Sequence, residues 1–190
     1  LYHAILFPIY QESFETLDAS LKGLAENQYD LKRIIAILAI EERAASDARV
    51  QMEQLQKKYE STFKKVLLTC HPDGLPGEAR VKGANATWAA KQLKKYLEEE
   101  KIQLEKVIIS CFDADTVCHP KYLACLSHAF LSQESPYRVS YQPIPVYHNN
   151  IWHAPSFARV VEISSSFWQL VQSMRRDKLV TFSSHSMAFK

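Results

Sequence analysis

Short apolar runs alternate with helical patterns along most of the chain. Four runs rich in β-branched residues predict buried strands at His3–Phe7, Arg33–Ile40, Lys65–Thr69 and Val107–Phe112. Apolar residues three and four positions apart predict helices at Ser13–Asn27, Glu42–Ser61, Asn85–Glu100 and from Pro120 to Ser132. This alternation predicts an α/β fold with a mostly parallel open sheet and helices on both of its faces.

The ends of these elements and the last third of the chain are less regular. Pro8 is expected to stop the first strand, and Ser13, with Thr16 nearby, to cap the first helix. Beyond residue 133 the pattern predicts a helix at Val160–Met174 and strands at Tyr137–Gln142 and Leu179–Phe182.

Composition restricts the class of protein. The chain has 190 residues, 47% of them apolar and 23% charged, which is typical of one soluble domain. A net charge of +2 gives no strong field for nucleic acid. The four cysteines form no Cys-x-x-Cys pair, which favours reduced thiols in a cytosolic protein over structural zinc. Neither a membrane span nor a signal peptide is visible in the sequence.

Two carboxylates, Asp113 and Asp115, follow the fourth predicted strand. Alternate side chains of an extended segment point the same way, so both can reach one cation. Such oxygen ligands suit Mg²⁺ or Mn²⁺, especially when phosphate oxygens complete the shell. Alone, however, the triplet is also common in helix caps and solvated turns.

The other strand ends carry polar residues as well. Tyr10 and Glu12 follow the first strand, where they can serve a base and a ribose or merely form a proline turn leading to a helix cap. Glu41 ends the second strand, and Lys82, which can meet phosphate or be a solvated loop charge, precedes the third helix. Because parallel strands end at one edge, all these junctions are expected to converge on one crevice.

Together the motifs resemble those of family 2 glycosyltransferases with the GT-A fold. The segment 8–12, Pro-Ile-Tyr-Gln-Glu, is similar to the family's Pro-x-Tyr-x-Glu opening, and Glu41 stands where an aspartate is usual. Segment 81–86 resembles the Lys-Gly-x-Asn motif, and segment 113–115 matches the metal-binding Asp-x-Asp. The order and spacing of all four agree over roughly the first 130 residues.

The resemblance implies roles for the residues on the nucleotide side. Pro8, Tyr10 and Glu12 would line the pocket for the base and ribose, and Glu41 would contact the base through a carboxylate that accepts from a ring N–H.

It also implies roles on the phosphate side. Lys82 and Asn85 would border the nucleotide, and Asp113 would lie toward the ribose and the metal. Asp115 would ligate the Mn²⁺ or Mg²⁺ ion that bridges both phosphates.

The implied activity is an inverting transfer of a sugar from a UDP- or GDP-linked donor to a hydroxyl of a glycan, lipid or other acceptor. The family's general base is an aspartate, often in a Glu-Asp pair, and no such pair follows residue 115. Because Ser183–Ala188 resembles the segment just upstream of that region, the base is expected beyond Lys190.

We therefore expect a C-terminally truncated fragment of one GT-A domain. Residues 1–133 would be the donor half and 134–190 the start of the acceptor half. The full-length protein would be cytoplasmic or attached to the cytoplasmic face of a membrane.

Two other interpretations stay open. A nucleotidyltransferase on a related sheet would attack an α-phosphate, although segment 8–13 lacks the Gly-rich, basic loop typical of that class. A non-catalytic module would bind the nucleotide sugar without transferring it.

Aromatic and amide side chains in segment 147–153, together with His185, are candidates for the sugar or acceptor site. Aromatic faces and amide donors are typical of sugar sites, and the residues concerned are His148, Asn149, Trp152 and His185.

Overall fold

A computed structural model of the chain describes residues 1–44, 46–143, 146, 152, 155–174 and 185–188. The strands in these ranges are β1 (Tyr2–Ile9), β2 (Ile34–Glu41), β3 (Lys65–His71), β4 (Val107–Cys111), β5 (Ser140–Tyr141) and β6 (His185–Ala188). The helices are α1 (Phe14–Ala25), α2 (Ser46–Tyr59), α3 (Lys82–Glu99), α4 (Tyr122–Leu131) and α5 (Ser156–Ser173). The predicted α/β class is confirmed.

The six strands form one sheet in the order β3-β2-β1-β4-β6-β5. The strands β1 to β4 pair in parallel, whereas β6 runs antiparallel to both β4 and β5. The chain therefore places β2 and β3 on one side of β1 and then places β4 on the other side. A reversal of this kind opens a crevice beyond the carboxyl ends of the two central strands.

Helices cover both faces of the parallel strands, as predicted. On one face, α1 and α2 bury Leu17, Leu21 and Met52 against the even-numbered positions of β2. On the other face, α3 buries Leu93 and Leu97 against the odd-numbered positions of β2. Every residue of β2 is buried, which explains why its sequence is an uninterrupted apolar run up to Ile40, followed by Glu41.

The prediction that Pro8 stops the first strand is wrong, because β1 continues through Ile9. Pro8 lies opposite Ala39 of β2, but the pairing of β1 with β4 ends at Leu6. The carbonyl of Leu6 accepts from the amide of Phe112 on the β4 side. The backbone of Pro8, two residues after Leu6, points to the same side of β1. The pairing with β4 has already ended there, so the missing N–H of Pro8 removes no hydrogen bond from the sheet.

The C-terminal part differs most from the prediction. Instead of a strand at Tyr137–Gln142, a 3₁₀ turn at Pro136–Arg138 leads into the two-residue β5. The proline at the first position of this turn fixes its backbone angle and shortens the strand. The helix predicted at Val160–Met174 is confirmed as α5, whereas the strand predicted at Leu179–Phe182 lies outside the described residues.

No helix in the described ranges combines the length and the hydropathy needed to cross a membrane. All four cysteines are free thiols, as expected from their spacing.

Candidate functional site

The turn after β1 is organised by Glu12. One oxygen of its carboxylate accepts from the backbone N–H groups of Tyr10, at 2.6 Å, and Gln11, at 3.1 Å. Ser13 then caps α1 by accepting from the amide of Thr16 at 3.3 Å, as predicted. The Tyr10 ring is 38% exposed at the carboxyl edge of the sheet, whereas Pro8 is buried inside β1.

The end of β2 lies beside this turn. Glu41 is 8% exposed and its carboxylate accepts a hydrogen bond from Arg43. The guanidinium of Arg43 in turn lies over the Tyr10 ring, 4.7 Å from its centroid. Hydrogen bonding to Glu41 raises the pKa of Arg43, so the group stays charged. The structure thus joins two predicted residues through a third, Arg43, that the sequence analysis did not single out.

The loop 72–81 after β3 forms a further wall of this region. His71 pairs with Glu78 at 2.9 Å, and Arg80 pairs with Asp73 at 2.9 Å. Gly74 and Gly77 in this loop have positive φ angles of 74° and 80°, which other residues rarely adopt. A pocket lies between this loop and the ends of β2 and β3, and its lining includes Glu41 and Arg43.

Two predicted residues lie at the start of α3. Lys82 is the first residue of the helix, and its ammonium group donates to the carboxylate of Asp113. Asn85 is only 1% exposed, and its amide donates to the carbonyl of Ala39 in β2 at 2.7 Å. In this structure Asn85 therefore ties α3 to the sheet, while Lys82 reaches across the carboxyl edge.

The acidic triplet follows β4 as a turn. The carbonyl of Asp113 accepts from the amide of Thr116 at 2.9 Å, so the prediction of an extended segment is wrong. The pairing of β4 with β6 ends at Cys111, and the chain then bends over α1. Asp113 is partly exposed and Asp115 is exposed, so both carboxylates lie at the surface of the crevice.

Helix α1 holds this turn from below. The hydroxyl of Ser20 donates to the carbonyl of Ala114 at 2.7 Å, and both residues are buried. Two residues after the end of α1, Asn27 donates to the carbonyl of His119 at 3.0 Å. Gly23 leaves room for Val117, whose Cγ1 would lie 2.6 Å from an added Cβ.

The sequence analysis missed these supporting residues. Their signal is a strip of small and polar residues at positions 20, 23 and 27, beside the leucines that α1 buries.

The charged groups at this turn affect the pKa of the neighbouring Cys111 thiol. Burial raises the pKa of the Cys111 thiol, while Lys82 lowers it and Asp113 raises it further. In the described ranges, no group of three or more His, Cys, Asp or Glu side chains is placed to hold a metal ion. Two carboxylates nevertheless fit Mg²⁺ or Mn²⁺ if phosphate oxygens supply further ligands, because such ions are commonly bound in that way.

The candidates for the sugar or acceptor are not brought together by the described residues. Trp152 is 77% exposed, and its ring lies 5.8 Å from the guanidinium of Arg159. The backbone of His185 pairs with Cys111 as the first residue of β6. His148 and Asn149 lie outside the described residues.

Comparison with known proteins gives distant structural likenesses. No family model matches the chain, and no curated protein matches it in sequence. Residues 1–349 of S. aureus TarS in complex with UDP-GlcNAc align with a TM-score of 0.46 and 16% identity, over 69% of this chain and 31% of that one. The mannosyltransferase PcManGT from Pyrobaculum calidifontis, with GDP-Man and Mn²⁺, aligns with a TM-score of 0.45 and 14% identity, over 70% and 33%.

A 4-diphosphocytidyl-2C-methyl-D-erythritol synthase aligns with a TM-score of 0.39 and 16% identity, over 70% of this chain and 55% of that one. The chain thus spans about a third of the length of the first two proteins. With TM-scores of 0.46 or less, these three likenesses assign neither a family nor an activity to this chain.

Proposed function

We propose that the chain is the donor-binding part of an inverting family 2 glycosyltransferase with the GT-A fold. Residues 1–133 would be its donor half and 134–190 the start of its acceptor half. One observation carries the proposal: the motifs that resemble this family lie at one sheet edge, on both sides of the reversal between β1 and β4. This is the edge at which open α/β sheets bind ligands.

The ends of β1 and β2 would bind the nucleoside. The exposed Tyr10 ring offers an aromatic face for a base. The Glu41 carboxylate would accept from ring N–H groups, and Arg43, which pairs with it, would donate to base carbonyls. One carboxylate oxygen of Glu12 is held by the backbone amides of Tyr10 and Gln11, and the other would accept from ribose hydroxyls.

The end of β4 and the start of α3 would bind the diphosphate. Asp113 and Asp115 would hold Mn²⁺ or Mg²⁺, and Lys82 lies at the same edge with a charge that suits phosphate. The ion would supply positive charge against the negative charge that grows on the leaving diphosphate. We assign no general base within the chain, so the proposal is tested by binding rather than by turnover.

Calorimetric titration with UDP, GDP and CTP, each with and without Mn²⁺, tests this function. We expect UDP or GDP to bind in a metal-dependent way, and Asp115→Ala to weaken that binding by about tenfold or more. Asp30→Ala is the control, because Asp30 precedes β2 at the opposite edge of the sheet and is exposed.

Metal-independent binding, or unchanged affinity in Asp115→Ala, would contradict the proposal. A clear preference for CTP over UDP and GDP would instead favour the nucleotidyltransferase interpretation.

A further inference from the structure

The ammonium group of Lys82 binds Asp113, one of the two carboxylates that the proposed function assigns to the metal. The two residues come from different elements, because Lys82 starts α3 and Asp113 follows β4. Their meeting is fixed by the fold: Asn85, one helical turn after Lys82, is buried and bonded to the carbonyl of Ala39. The start of α3 is thereby held at the carboxyl edge of the sheet.

A cation bound to Asp113 disfavours the binding of a second cation to the same carboxylate. An ammonium within hydrogen-bonding distance of Asp113 occupies one of its oxygens and repels a divalent ion. Both side chains keep solvent contact, at 46% exposure for Lys82 and 35% for Asp113. The ion pair is therefore weak enough to open when a better partner for the ammonium arrives.

A nucleoside diphosphate is such a partner. Its phosphate oxygens carry more negative charge than one carboxylate, and the flexible four-carbon stem of lysine lets the ammonium turn toward them. Asp113 then becomes available to the metal that the same phosphates also bind.

We propose that Lys82 makes metal binding depend on the nucleotide. In the ligand-free chain it shields Asp113 from divalent ions, and with nucleotide present it moves to the phosphates. The inference rests on the proposed function, and it adds a prediction that the function alone does not make. Removing a positive charge that binds phosphate should strengthen the binding of the metal alone.

The test measures free Mn²⁺ by electron paramagnetic resonance during titration of wild type and Lys82→Met, with and without UDP or GDP. Without nucleotide, we expect Lys82→Met to bind Mn²⁺ about fivefold or more tightly than wild type. At saturating Mn²⁺, the same variant should bind the nucleotide more weakly. Lys94→Met is the matched control, because Lys94 also pairs with a carboxylate on α3, Glu98, at 3.7 Å.

The outcomes separate the two proposals. If Lys82→Met binds Mn²⁺ no more tightly than wild type while nucleotide binding still needs metal, the shielding role is wrong and the proposed function stands. If neither protein binds Mn²⁺ with or without nucleotide, both are wrong. A gain of equal size in Lys94→Met would also overturn the role of Lys82, because it would reflect net charge alone.

Discussion

The loops that follow β3 and β4 end at the same edge of the sheet but are held in different ways. The loop after β4 is fixed by buried hydrogen bonds, from Ser20 of α1 to Ala114 and from the amide of Leu123 to Asn27, which lies two residues after α1. The loop 72–81 after β3 is instead closed by ion pairs with solvent contact, such as that between Arg80 and Asp73. Buried hydrogen bonds are costly to remove, whereas exposed ion pairs contribute little.

This difference matters for two parts of the candidate site, the acidic turn after β4 and the Lys82 side chain. The fold sets the position of the acidic turn before any ligand binds. Lys82 starts α3, which Asn85 ties to the sheet, but its side chain is held at the crevice by an exposed ion pair with Asp113. An acidic turn held by the fold, facing a lysine side chain held by an exposed ion pair, suits the proposed change of partner by Lys82.

The largest expected effect comes from removing the support of the β4 loop. Asn27→Ala should lower the free energy of unfolding by about 1–3 kcal/mol, because it removes the hydrogen-bond partner of one partly buried group and of one buried group. These are the carbonyl of His119 and the amide of Leu123, which donates to the Asn27 side chain at 3.3 Å. Urea denaturation measures the change, and Gln28→Ala, at the exposed neighbouring position, is the control.

A loss below about 1 kcal/mol in Asn27→Ala would show that Asn27 does not hold the loop after β4. The contrast between the two loops would then disappear.

Most of the parallel sheet could be predicted from the sequence, because its signals are local. The run at Ile34–Glu41 is buried along its whole length, and such a run has few alternatives to a central strand. The antiparallel pairing of β6 with β4 could not be predicted, since it depends on contacts between segments far apart in the chain. The two-residue β5 is too short to leave a pattern of its own.

The residues of the candidate site also differ in whether local sequence signals could predict them. Tyr10, Glu41 and Asp113 could be proposed from the sequence because each lies at the end of a recognisable strand. The bond from Ser20 to Ala114 could not, since it joins residues 94 positions apart and a serine in a helix is unremarkable by itself. The placement of Arg43 over Tyr10 likewise follows from the packing of two strand ends, which no local pattern describes.

The smallest expected effect comes from the loop after β3. Arg80→Ala should change the free energy of unfolding by less than about 0.5 kcal/mol, because Arg80 is 65% exposed and its pair with Asp73 is screened by solvent. Urea denaturation at low and high salt checks this, with Asp73→Ala and the double variant completing the cycle. A coupling energy above about 1 kcal/mol would show that its ion pair holds the loop after β3 as strongly as hydrogen bonds hold the loop after β4.

The central claim is that four chain segments meet in one ligand site, and paramagnetic broadening by Mn²⁺ tests it most directly. In amide spectra of the chain with UDP or GDP, the ion should broaden residues 10–13, 41–44, 82–85 and 113–116 together, because these segments share one sheet edge. Residues 30–33 and 104–106, which precede β2 and β4 at the opposite edge of the sheet, serve as the internal reference and should keep their line widths. Broadening confined to another part of the chain, or absent from segment 113–116, would contradict the account.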